Sequence, residues 1–519
     1  MVCRDTPYGD HFGWRRTIVT LVRRNAVANL IGRLWGSALP LLFLPVYLQF
    51  LGVEAYGLVG FSATLQGVIL LLDAGIGATL LRELARLSAE PGTDREKADL
   101  VGSLEPIYWC ISFFGGCGLW FLAPAIASYW VRPDHLAAAT IIKALHVISV
   151  LVALQVVQVF YESGLMGLQQ QVTVNVILAA TGTVRAIASV AVLSLVSPTI
   201  FVFLATQAMT TGASVIVFRT VLWRSISNTP GKLSYRPELV RSLWRYAAGT
   251  SGIAVANALF YQTDKVLLSR LLTLKAFGYY ILAQNVAAVL WSLIRPISAS
   301  VFPRLSELVA AGNKDDLLAL YHAAAQSMSV FLLPAGMMIT LFSYDLLSIW
   351  THDDTLASNA GGLAAIAAIG IMSAGLADIP HFLRLAYGWV RLSLMVNAVL
   401  SLFLLPLLIL GAIKYGAIGG VTVWAAVNVA YLVITVPLTH QRILRGSLSA
   451  WVRNDTVIPL VCATITGVLL RIAIPRHGEP VAVHLLQLCL AGGIILTVTA
   501  ISTTGFRKLL LTRVRTQGV

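Results

Sequence analysis

Apolar runs of about 20 residues recur from Asn25 to Gly505, separated by short polar or charged connections. Each is long enough to cross a hydrocarbon core of ~30 Å at ~1.5 Å per residue. None alternates with the period of two of a barrel strand. In lipid the backbone must satisfy its own donors and acceptors, so the runs predict helices. Fourteen spans result, near 26–49, 57–81, 101–127, 138–161, 172–196, 199–218, 247–271, 277–301, 322–348, 361–385, 392–413, 417–438, 457–474 and 482–505. The first follows Arg23-Arg24, is too long for a signal-peptide core and lacks an A-x-A site, so it reads as a retained span. The fold class is an all-α polytopic membrane protein.

Composition agrees: 57% of the 519 residues are hydrophobic and 12% charged, against about 25% charged in soluble domains. This excludes an ordinary cytosolic enzyme, a disordered chain and a secreted disulfide scaffold. The five cysteines have no metal or redox spacing, and no cofactor or metal motif appears. The formal charge of +14 lies mostly between spans, so it speaks for membrane orientation and not for nucleic acid. With Arg384 at a span edge, the N-terminus, even-numbered loops and C-terminus hold 26 of the 37 Lys and Arg; the odd-numbered loops hold five. The imbalance predicts a multi-pass protein with both termini cytoplasmic.

The strongly basic stretch 219–246, containing Asn228-Thr229-Pro230-Gly231, reads as a cytoplasmic linker between six-helix halves at 25–218 and 247–440. Residues 1–24 precede them; two further helices (441–506) and a tail (507–519) follow. A repeat supports the division: Leu51-Gly-Val-Glu-Ala-Tyr-Gly-Leu58 aligns with Leu272-Thr-Leu-Lys-Ala-Phe-Gly-Tyr279 at an offset of 221 residues. An offset of six helices makes the repeats parallel, a layout that builds two transporter lobes around a midplane site.

Six basic side chains fall inside predicted spans: Arg33, Lys143, Arg185, Lys265, Arg295 and Arg471. Asp73, Asp264 and Asp378 are set against them. A base at a helix centre costs ~2.5–3.5 kcal/mol, so these groups pair, snorkel or line a wet cavity. Polar stripes favour the cavity: Asn25, Asn29, Arg33 and Ser37 in span one, and Asn175, Gly182, Arg185 and Ser189 in span five. Spans two, seven and eight carry similar stripes around Asp73, Asp264-Lys265 and Arg295. Local alternatives stay open. Arg471, near its span end, is expected to snorkel, and Lys143 either snorkels or faces the cavity. Arg33 and Asp73 lie at similar depth, so Asp73 is either an ion-pair partner or an ion-coupling group. Asp264 and Lys265 are adjacent and point apart. Asp378, His381 and Arg384 share a face near the cytoplasmic end of span ten, where interfacial water would solvate them. The candidate cargo-binding groups are therefore Arg33, Lys143, Arg185, Lys265 and Arg295; the candidate ion-coupling or ion-pair groups are Asp73, Asp264 and Asp378. A cavity of this sign attracts anions, and the planar guanidinium fork suits phosphate. Pro296 follows Arg295, and a bend there would re-aim that charge.

Several segments carry a family resemblance: Asn25-Ala-Val-Ala-Asn-Leu-Ile-Gly-Arg33 through Leu44-Pro-Val-Tyr-Leu48, Leu51-Gly-Val-Glu-Ala-Tyr-Gly57, and Leu72-Asp-Ala-Gly-Ile-Gly77 with Arg82-Glu-Leu-Ala-Arg86. In the second half they are Thr263-Asp-Lys-Val-Leu267, Phe277-Gly-Tyr-Tyr280 and Phe302-Pro-Arg-Leu-Ser306. In order and spacing the chain resembles Wzx-type polysaccharide flippases of the multidrug/oligosaccharidyl-lipid/polysaccharide exporter superfamily over roughly 25–445. The resemblance implies two six-helix lobes around a central cavity plus two extra helices. It also implies carriage of an undecaprenyl-pyrophosphate-linked oligosaccharide across a bacterial inner membrane, for O-antigen or exopolysaccharide synthesis alongside glycosyltransferases and a polymerase. It bears most directly on Asp264 and Lys265, within the Thr-Asp-Lys segment. A cation-coupled multidrug exporter of the same superfamily is the main alternative. A membrane polymerase or ligase is a lesser one, because no long connection gathers acid–base residues.

Overall fold

The computed structural model describes residues 11–69, 75–90, 92–226, 262–474 and 480–503, with residues 11–28, 30, 31, 33, 34, 37 and 69 among them by backbone alone. The side chain of Arg33, the whole of Asp73, most of the predicted linker and the tail 507–519 lie outside the described residues. Nearly every described residue is helical, as an apolar chain without water to satisfy its backbone requires.

The chain divides into two compact units: 1–51, 62–129 and 137–262 form one; 52–61, 130–136 and 263–519 form the other. The first contains α2 (Ile76–Ser88), α3 (Asp94–Ala125), α4 (Ala138–Gly167), α5 (Gln171–Leu195) and α6 (Ile200–Ile226), together with the first leg of α1 (His11–Ile69). Leu80 and Leu84 of α2, Tyr108 of α3, Phe160 and Tyr161 of α4 and Phe218 of α6 are fully buried in one core. Tyr108 and Phe160 pack with centroids 4.5 Å apart.

The second unit contains α7 (Leu274–Ala288), α8 (Trp291–Ala310), α9 (Lys314–Thr351), α10 (Asp354–Ala386), α11 (Val390–Arg442), α12 (Ile458–Ala473) and α13 (Val481–Ser502). π-helical turns at Trp451–Val457 lead into α12. Among the described residues ten helices are long and apolar enough to cross a membrane, or eleven if α7 and α8, bent by 41°, make one span. The difference from fourteen has three sources. α11 holds the predicted spans 392–413 and 417–438, span 57–81 is divided between α1 and α2, and 247–271 is largely outside the described residues.

α11 is a hairpin, not one rod. A Cβ on Gly419 would lie 2.0 Å from the Gly411 carbonyl oxygen, whereas eight residues of straight helix span ~12 Å. The turn is at Gly416 (φ 60°, ψ −139°), a conformation open only to glycine. Breaks elsewhere also avoid prolines. The non-helical residues inside α1 and α9 are Gly52 and Phe342, while Pro40, Pro45 and Pro334 sit in continuous helix. The bend before α8 falls between Ala288 and Trp291, ahead of Arg295 and Pro296 and not at them.

Within the second unit the two repeat segments pack on each other. A Cβ on Gly57 would meet the Leu274 carbonyl oxygen at 2.2 Å, and one on Gly278 would meet that of Val53 at 2.4 Å. The offset of 221 maps Gly57 onto Gly278 and Val53 onto Leu274, so the contact maps onto itself, as a two-fold interface must. Glu54 caps this region by accepting from the backbone N–H groups of Asp134 (2.8 Å), His135 (2.9 Å) and Leu136 (3.0 Å). Asp134 in turn accepts from the Lys275 N–H at 3.1 Å.

Candidate functional site

In the first unit α1 and α5 meet at Asn29 and Asn175, one residue from each polar stripe. Asn175 donates to Asn29 at 2.6 Å, and Trp35 donates to Thr183 at 3.0 Å. One residue of each stripe is therefore satisfied by the other helix instead of by water. Arg185, half-buried on α5, lies within electrostatic reach of Tyr47, whose hydroxyl donates to the Ala186 carbonyl oxygen at 3.5 Å. Among the described residues no carboxylate comes within ion-pair distance of Arg185. Lys143 is exposed in the second turn of α4. One turn on, His146 stacks on Trp120 with centroids 4.1 Å apart.

In the second unit Asp264, in the helical stretch 262–271, is 2% exposed and accepts from the Tyr280 hydroxyl. Gln284 donates to the same hydroxyl at 2.9 Å. The other carboxylate oxygen of Asp264 is buried with no hydrogen-bond partner among the described residues. Lys265 is half-buried, and the neighbouring side chains diverge as their adjacency requires. One turn of α7 beyond Tyr280, Asn285 donates to Tyr56 at 2.7 Å.

α8 and α10 bring together a second pair of predicted groups. Ser298 donates to Asp378, which also lies in the field of Arg295. Arg295 is exposed, with its guanidinium 5.4 Å from the Trp291 ring centroid, and makes no ion pair within 4.0 Å among the described residues.

Two expectations are overturned. Arg471 does not snorkel: its guanidinium lies 3.2 Å from Asp345, which is 2% exposed and also 3.2 Å from His484. Arg384 is not solvated at an interface but completely buried, donating to Thr439 (2.7 Å), Tyr431 (3.0 Å), Ser393 (3.3 Å) and His381 (3.3 Å). Hydroxyl and imidazole acceptors there replace the water that a buried guanidinium must otherwise lose.

The sequence reading also missed two acids inside predicted spans, Asp345 and Glu105. Glu105 accepts from Arg219 (2.6 Å), Tyr161 (2.5 Å) and Trp223 (3.2 Å). Both were visible as charges in apolar runs, so weighting acids and bases alike would have found them. The result sorts the cations. Arg471 and Arg219 are held by carboxylates and Arg384 by neutral acceptors, while Arg185 and Arg295 keep donors that no carboxylate among the described residues takes.

Comparison with solved structures places this fold. The chain superposes on the lipid II flippase MurJ in an inward closed conformation with TM-score 0.70 at 12% identity, covering 94% of this chain and 99% of that one. An inward-facing multidrug resistance MATE family transporter of the MOP superfamily superposes with TM-score 0.59 at 14% identity, covering 82% and 95%. No curated protein matches by sequence. Residues 22–309 match the family described as polysaccharide biosynthesis protein, more than half of the chain. With a transporter fold shared with MurJ and the MATE exporters, the chain belongs to the polysaccharide biosynthesis protein family.

Proposed function

We propose that the protein flips an undecaprenyl-pyrophosphate-linked oligosaccharide from the cytoplasmic to the periplasmic leaflet of a bacterial inner membrane, by alternating access and without catalysis. The observation that carries this reading is the pair of intramembrane guanidinium groups, Arg185 and Arg295, without a carboxylate within ion-pair distance among the described residues, while Arg471 has one. A guanidinium fork binds two oxygens of a phosphate. In a low-dielectric chamber such donors attract an anionic headgroup and repel cations. The lipid tail stays in the bilayer while the charged head crosses. Arg33, Lys143 and Lys265 complete the proposed cationic lining, and Asp73, Asp264 and Asp378 are the proposed coupling or pairing acids. Glycosyltransferases supply the cargo, and a polymerase consumes it.

Deleting the gene tests this. Carrier-linked oligosaccharide should accumulate unexposed to the outside while surface polymer disappears; normal polymer without a carrier-linked intermediate refutes the proposal. Arg295→Ala and Lys265→Ala should each abolish complementation with membrane abundance near wild type. The buried oxygen of Asp264, without a hydrogen-bond partner among the described residues, favours a second reading, a cation-coupled drug exporter. In that case the deletion would alter sensitivity to organic cations and leave the polymer intact.

A further inference from the structure

The hairpin form of α11 returns both of its ends to one face of the membrane. Its turn is at Gly416, and each leg is long enough to cross the hydrocarbon core once. Residues 390 and 442 therefore emerge together, and the Arg442 guanidinium lies 4.4 Å from the centroid of the Trp389 ring. α10 ends at the same corner, where the Trp389 N–H donates to the Arg384 carbonyl oxygen at 2.8 Å. Lys414 and Tyr415, beside the turn, mark the opposite end of the hairpin.

Positive charge at this corner has no local counterpart. From residue 379 to residue 454 the sequence holds six Lys and Arg and no Asp or Glu. Arg384 is buried among neutral acceptors, and Lys414 is at the far end. Arg391, Arg442 and Arg445 are exposed. Among the described residues none of the three lies within 4.0 Å of a carboxylate. By contrast Arg86 pairs with Glu83 and Glu90, Lys97 with Asp94, and Arg304 with Glu307.

The donors at the corner suit a phosphate. A guanidinium stacked on an aromatic ring offers the ring its face and keeps its N–H edge for an acceptor. Arg445 gives Nε to the Gln441 carbonyl oxygen at 3.2 Å, which holds it at the end of α11 and leaves its two terminal nitrogens. Trp389 is half-buried and Tyr387 exposed, and these residue types settle at headgroup depth. Where apolar helices end, lipid phosphates are the nearest abundant anions. A zwitterionic headgroup brings its own cation, whereas an anionic one leaves its phosphate to the guanidinium forks.

We propose that the corner formed by Trp389, Arg391, Arg442 and Arg445 binds the headgroup of an anionic phospholipid from the adjoining leaflet. The proposal rests neither on the cargo nor on the direction of transport.

Titrating the purified full chain in a neutral detergent with phosphatidylglycerol or phosphatidylcholine, and reading bound lipid by native mass spectrometry, tests this. The first phosphatidylglycerol bound should be held more tightly than phosphatidylcholine. Arg391→Gln, Arg442→Gln and Arg445→Gln should each weaken it by about fivefold, and the triple variant should lose the preference. Arg86→Gln/Lys97→Gln/Arg304→Gln removes as much charge from positions that have carboxylate partners and should keep it. Equal binding of the two lipids by the wild type, or a preference that survives the first triple variant, overturns the proposal. So does an equal loss in the second triple variant, which would trace the preference to net charge. Displacement of the lipid by excess inorganic phosphate would assign the corner to a soluble anion and also overturns it. If the first triple variant does not fold, the three single variants decide the matter.

Discussion

Arg471 and Arg295 show how little a residue's identity says about its role in a membrane. Both are arginines in apolar helices, yet Arg471 pairs with a buried Asp345 and Arg295 stands exposed over Trp291. Removing one member of a buried pair strands the other charge, a loss of about 3–5 kcal/mol, whereas replacing both with apolar groups is often nearly neutral. Arg471→Ala should therefore lower membrane abundance and thermal stability. Asp345→Leu/Arg471→Met should recover most of both, measured by fluorescence-detected size exclusion on heated extracts. Arg295→Ala is expected to do the opposite, keeping abundance and losing complementation of the gene deletion. A loss of abundance equal to that of Arg471→Ala would assign Arg295 a structural role.

At the scale of elements, close backbone approach does what side chains do elsewhere. Gly57 and Gly278 cross where a Cβ would fall within 2.4 Å of a carbonyl oxygen, and Gly419 meets Gly411 across the α11 hairpin. Backbone cannot step aside as a flexible side chain can, so Gly57→Ala, Gly278→Ala and Gly419→Ala should each cost on the order of 1–3 kcal/mol. Gly36→Ala and Gly493→Ala meet open space in the described structure and should cost no such clash. Thermal melting of the five single variants checks the ranking. The repeat was legible as eight aligned residues. That its halves touch each other was not, because alignment says which positions are equivalent and nothing about their distance. That the breaks fall at glycines and not at prolines has a related reason. Proline removes one donor, which a helix tolerates when its neighbours hold it straight, whereas the φ of +60° at Gly416 and +76° at Gly52 forces a break.

For the whole molecule, hydropathy and the Lys/Arg imbalance predict the span count and orientation. A reporter active only outside the cytoplasm, fused at either terminus, should stay inactive, while one inserted near Arg132 or Lys414 should be active. Activity at either terminus refutes both the orientation and the even count. The family match over 22–309 and the MurJ-like fold agree with a multi-pass chain of apolar helices.

What the amino-acid order determined alone is what depends on local chemistry: helix-forming apolar length, the polar stripes, the repeat, the basic connections and the resemblance to flippases. Partnership was decided by the tertiary structure. Asp345 and Arg471, Glu105 and Arg219, and His322 and Asp455 are each far apart in the chain, and whether a buried charge is neutralised or left to act depends on which helix packs beside it. Coulomb and desolvation terms act through space over a few ångströms, and that separation exists only once the chain has folded.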